Sequence, residues 1–106
     1  MSSNFIASRT DTEFTTASYN CFAGGENNKV IGTSSFAFGE DNIIDGDNTI
    51  VFGTHHNTTR DNQMLIGSYS DAKSGLLFAI GNGSSNSRSN IIEVSNSDIN
   101  INGKIR

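Results

Sequence analysis

Five glycines, Gly25, Gly39, Gly53, Gly67 and Gly81, stand 14 residues apart, and the residues before them keep the same step. Three positions ahead of each glycine come Phe22, Phe36, Ile50, Met64 and Phe78. One position ahead come Gly24, Phe38, Phe52, Ile66 and Ile80, and between the two sets lie Ala23, Ala37, Val51, Leu65 and Ala79. A period this short makes each unit one turn of a repeat array, because a unit of that size cannot bury a core alone.

Strand alternation gives the unit its physics. In Phe36-Ala37-Phe38-Gly39 the first and third side chains share one face and the small middle one takes the other. The glycine ends the strand in a turn that a β-carbon would hinder. A weaker apolar stretch follows at Val30-Ile31 and Ile43-Ile44 and fades to Thr58-Thr59 and Ala72-Lys73. Each unit therefore reads as two short strands and two turns, one coil of a parallel β-solenoid or β-roll. The bulky residues Phe22, Phe36, Phe38, Ile50, Phe52, Met64, Ile66, Phe78 and Ile80 are expected to form its core. The small-residue stripe Ala23, Ala37, Val51, Leu65 and Ala79 is then expected outside it, as an interface between copies of the chain. A coiled coil shares the 14-residue period, but short apolar runs ending in glycine contradict a heptad seam, and β-branched, Asn-rich units are poor helix formers.

Composition agrees with a stacked rather than a self-contained fold. Hydrophobic residues make up 34% of the 106, charged residues 17%, and there is no Pro or Trp, so the small apolar supply must be extended along one axis. The net charge of −4 argues against nucleic acid and anionic membranes as partners. No apolar run approaches the ~18 residues of a membrane span, and the first nine residues lack a secretory apolar stretch. The single cysteine, Cys21, rules out an intrachain disulfide and is expected as a small buried side chain. Residues 1–17 read as a polar lead-in or irregular first coil, 18–81 as the repeats and 82–106 as a loop and cap. In the last part Ile91-Ile92-Glu93-Val94 reads as a strand, Ser95–Asp98 as a turn and Ile99–Ile101 as a strand. Asn102-Gly103 signals a hairpin before Lys104. A β-meander of this kind would close the open end of the column.

Two resemblances follow from these residues. Ser34-Ser35-Phe36-Ala37-Phe38-Gly39 and Asn48-Thr49-Ile50-Val51-Phe52-Gly53 resemble the 14-residue repeats of trimeric autotransporter adhesin heads, which are trimers of left-handed parallel β-rolls; similar repeats occur in bacteriophage tail fibres. Leu77-Phe78-Ala79-Ile80-Gly81-Asn82-Gly83-Ser84-Ser85, with Arg88-Ser89-Asn90, Glu93-Val94 and Ile101-Asn102-Gly103, is similar to a module common in phage tail fibre and tail spike proteins. The resemblance implies an all-β, left-handed parallel β-roll assembled as a homotrimer. Its function would be a structural, non-enzymatic segment of a phage tail fibre in the virion, a rigid spacer or a host receptor-binding tip. Its partners would be itself, other fibre segments and a host-surface carbohydrate or protein. The alternatives are the head of a bacterial cell-surface adhesin and a fragment of a polysaccharide-degrading tail spike.

No catalytic residue or cofactor is expected. His55 and His56 point to opposite faces if extended, so they cannot share one metal, although one of them repeated about a threefold axis would supply three nitrogen ligands. Asp47 and Asp61, on successive coils beside Glu40, Asp41 and Asp45, stand near the separation that glycoside hydrolysis requires and offer oxygen ligands for calcium. Asp in these slots is more simply turn chemistry. Tyr19 and Tyr69 are the aromatics available for carbohydrate or protein contact, or for packing, and the sequons at Asn57 and Asn82 matter only in a eukaryotic secretory setting.

Overall fold

Among the described residues, eight non-glycine ones adopt left-handed backbone: Asn20, Asn27, Ser34, Asp41, Asn48, His55, Asn62 and Tyr69, with φ between 44° and 59°. They follow one another at intervals of seven, half the glycine period. Each coil is therefore turned by two sharp corners, and Asn and Asp, which tolerate this conformation best, hold five of the eight. In the computed structural model, which describes residues 5–10, 13–14 and 19–105, the corners link alternating long and short strands. The long ones are β1 (Phe5–Thr10), β3 (Phe22–Glu26), β5 (Phe36–Glu40), β7 (Ile50–Thr54) and β9 (Met64–Ser68). The short ones are β2 (Glu13–Phe14), β4 (Lys29–Val30), β6 (Ile43–Ile44) and β8 (Asn57–Thr58). β10 (Leu76–Asn82), β11 (Asn90–Ser95) and β12 (Ile99–Ile101) complete the chain, and no described residue is helical.

The result is an all-β solenoid of about four turns. One sheet has eight strands in the order β1-β3-β5-β7-β9-β10-β11-β12, and the facing sheet has β2-β4-β6-β8. From β3 to β10 the ladders are parallel, and every residue pairs with the one 14 further on, as in Phe36 with Ile50 and Ile50 with Met64. The first coil is longer: Phe5 pairs with Phe22 and Glu13 with Lys29, offsets of 17 and 16. The rest of the lead-in, with residue 106, lies outside the described residues. No strand forms at Ala72-Lys73, so the short sheet stops one coil before the long one.

The structure reverses the expected inside and outside. Ala23, Ala37, Val51, Leu65 and Ala79 are fully buried within the single chain, opposite Val30 and Ile44 of the short sheet. None of them can therefore meet another chain. Phe38, Ile50, Phe52 and Met64 are 42, 41, 50 and 39% exposed, and Phe22, Phe36, Ile66, Phe78 and Ile80 are half-buried. The alternation holds, but the interior between a five-residue and a two-residue strand admits one side chain from each, and only small or branched ones fit. Bulk marks the outer face of this coil and not its core. Gly39 shows how closely the coils stack: its φ is +134°, and a β-carbon would lie 1.8 Å from the carbonyl oxygen of Gly53.

After Gly81 the chain reverses. β10 pairs in parallel with β9 on one side and antiparallel with β11 on the other, and β11 pairs antiparallel with β12. The Ser95–Asp98 turn joins these last two, with the Ser95 amide donating to the Asp98 carbonyl at 2.9 Å. The hairpin expected at Asn102-Gly103 does not form, since residues 104–105 have no strand structure. Asn102 instead binds back to β11: its amide donates to the Ile91 carbonyl (2.8 Å) and its Nδ2 to the Asn90 carbonyl (2.7 Å).

Candidate functional site

The outward positions of the long sheet fall into two columns that run strand to strand without a break in register. The first is Phe22, Phe36, Ile50, Met64, Phe78, Val94 and Ile99. The second begins at Gly24 and continues through Phe38, Phe52, Ile66, Ile80, Ile92 and Ile101. Seven strands at the usual spacing give these columns a length of roughly 30 Å. The Phe22 and Phe36 rings stack at 4.6 Å, and Phe38 meets Phe52 at 5.2 Å. No charged side chain occupies either column. A continuous apolar face of this length on a single chain is far beyond scattered exposed hydrophobics.

Behind that face, polar residues build two internal ladders that the sequence reading missed. Asn28, Asn42, His56 and Ser70 are completely buried, one per coil, each directly after a left-handed corner. Asn42 Nδ2 donates to Asn28 Oδ1 (3.0 Å) and to the Gly53 carbonyl (2.9 Å), while the His56 amide donates to Asn42 Oδ1 (3.0 Å). At the opposite corner Cys21, Ser35, Thr49 and Gln63 repeat the pattern. Ser35 Oγ donates to the Gly46 carbonyl and Thr49 Oγ1 to the Arg60 carbonyl. Among the described residues no buried side-chain donor or acceptor lacks a partner. The seven-residue spacing of small polar residues carried this signal, but their type reads as exposed turn.

His56 is part of the ladder. Its Nε2 lies 3.0 Å from the Gly67 carbonyl and its Nδ1 2.6 Å from Ser70 Oγ. His55 is at the corner, with Nε2 3.2 Å from Asp41 Oδ2 and Nδ1 2.5 Å from Thr54 Oγ1. Both rings thus have both nitrogens engaged, so neither is poised as a metal ligand, and the described residues contain no group of three or more His, Cys, Asp or Glu able to hold a metal ion. Asp47 and Asp61 do lie on adjacent coils, but as caps: Asp47 Oδ1 accepts from the Thr33 amide (2.9 Å) and Asp61 Oδ1 from the Asp47 amide (2.8 Å). Tyr69 stacks on His55 at 4.4 Å and lies under the Arg88 guanidinium at 5.7 Å, so its faces are spoken for. Tyr19 remains 45% exposed.

The Arg88-Ser89-Asn90 run fastens the cap. Arg88 Nη1 donates to the carbonyls of His55 (2.8 Å) and Ser70 (3.1 Å), spanning two corners. Asn90 pairs with Asp71 as a strand would, accepting from its amide (2.9 Å) and donating to its carbonyl (2.8 Å). Glu93 sits beside Ala79 at the end of the core column, where Asn90 Nδ2 and Lys73 Nζ each lie 2.9 Å from its Oε2. These bonds, that of Asn90 first, hold the Glu93 carboxyl below the usual carboxylate range, and Glu93 in turn raises Lys73. Comparison with protein-family models, with curated proteins and with solved structures found no match.

Proposed function

We propose that this chain is a structural, non-enzymatic segment of a homotrimeric fibre of the phage-tail type, in which three copies pack the outer faces of their long sheets about a common axis. The observation that carries the reading is the pair of unbroken apolar columns from Phe22 to Ile99 and from Phe38 to Ile101. With its small residues already inside, each chain keeps its aromatic and branched residues for contact with others. Burial of such side chains is favourable by about 1.5–3 kcal/mol each, so a shared face gains far more than one exposed to water.

In such an assembly parallel alignment brings like coils to the same height, and the repeat extends the interface along the axis. The two polar ladders make each chain stiff across its coils, which suits a spacer. Three identical outer surfaces at the end of the fibre raise avidity for a repeated ligand on a host surface, carbohydrate or protein. Molar mass by light scattering on a sizing column tests the assembly. A mass three times that of the chain, falling to that of one folded chain in Phe38→Ser/Phe52→Ser, is expected. A folded monomer in the unaltered protein overturns the reading.

A further inference from the structure

The inner ladder changes chemistry at the joint between the coils and the cap, where Asn gives way to His56 and then to Ser70. Asn28 and Asn42 each direct Nδ2 at a glycine carbonyl of the next coil and offer Oδ1 to an amide of that coil. His56 keeps the same geometry with a titratable ring. Its Nε2 replaces the Asn donor at the Gly67 carbonyl, which fixes the neutral Nε2–H tautomer, and its Nδ1 replaces the acceptor, taking the Ser70 hydroxyl. Ser70 is itself completely buried, and its carbonyl holds Arg88.

We propose that His56 is an acid-sensitive latch: its protonation breaks the register between the last regular coils and the cap, loosening Gly67–Ser70 and the Gly83–Ser89 loop while the coils before it stay folded. A proton on Nδ1 turns the acceptor into a donor. Ser70 Oγ must then accept, and its own hydrogen loses its partner inside the core. The charged groups around the ring add to the effect. Arg88 reaches in from the cap loop, and His55 adjoins it in the chain; both oppose a further positive charge. Asp41, on the preceding coil, is taken up by His55, and the Asp71 carboxylate acts on Lys73. Burial, the largest influence, holds the imidazole below its ordinary value. The unfolded segment therefore binds the proton first. The latch is closed above the ordinary imidazole pKa of about 6.5 and weakens as pH falls from there toward the folded value.

Backbone amide exchange read residue by residue between pH 7.5 and 5.5, corrected for intrinsic exchange, tests this in the whole protein. One proton changes local opening by at most tenfold per pH unit, so protection at Gly67–Ser70 and Gly83–Ser89 should fall, by no more than about tenfold, with Ala37 and Val51 unchanged. His56→Asn, which restores the ladder residue of the earlier coils, should abolish the pH dependence. Equal acid loss of protection in both proteins overturns the proposal. Should that variant not fold, the His56 ring signals of the unaltered protein decide: titration at the ordinary midpoint, with the junction amides unmoved, also overturns it.

Discussion

The choice between inside and outside at each residue rests on room as much as on hydrophobicity. Leu65, fully buried, and Phe52, half exposed, make a direct comparison. Leu65→Ala should cost about 2–5 kcal/mol by leaving a cavity, lowering the urea midpoint. Phe52→Ser should leave the unfolding of the isolated chain almost unchanged and weaken only association. Asn42→Ala should be as damaging as a core truncation of moderate size, about 1–3 kcal/mol in urea unfolding, because it strips partners from the Asn28 side chain, the Gly53 carbonyl and the His56 amide together. The sequence made the two-residue alternation and the 14-residue register readable. Which face was interior was not readable, since Ala37 between two phenylalanines looks like the weaker apolar face until the width of the coil is known. Asn28, Asn42 and His56 were hidden for a related reason. A polar residue beside a corner has the same composition signature whether it points out to water or in to a neighbouring carbonyl.

At the level of elements, the strands from β3 to β9 owe their places to the repeat, and the cap owes its place to individual side chains. The antiparallel pair β11 and β12 was legible from its apolar runs. The role of Arg88, Asn90 and Glu93 was not, because each acts across the fold, Arg88 on His55 at a separation of 33 residues. The cap should therefore be separable from the coils by mutation. Glu93→Gln removes the ionic partner of Lys73 at the core end and should raise amide exchange in β11 and β12 while that of β5 and β7 stays slow. The Glu93 carboxyl, held below its usual range, contributes stability that is present above that range and lost as pH falls through the folded value. Thermal unfolding followed from pH 6 to pH 3 should show a loss that the Gln variant lacks.

On the scale of the whole molecule, most of the long dimension of 46 Å, against 26 and 22 Å, comes from stacking eight strands at about 4.8 Å each. Removal of residues 36–49, one full unit, joins Ser35 to Ile50 and returns every column to register. The shortened protein should fold cooperatively and lose about 4.8 Å of length by small-angle scattering. Removal of seven residues instead would place a long strand over a short one, and that protein should fail to fold. The seven-residue corners thus set the angle of each bend, and the 14-residue coil sets the length. In the gene this makes the molecule a ruler graduated every fourteen codons: slippage between neighbouring repeats changes reach by whole steps, and leaves the chemistry of every face as it was.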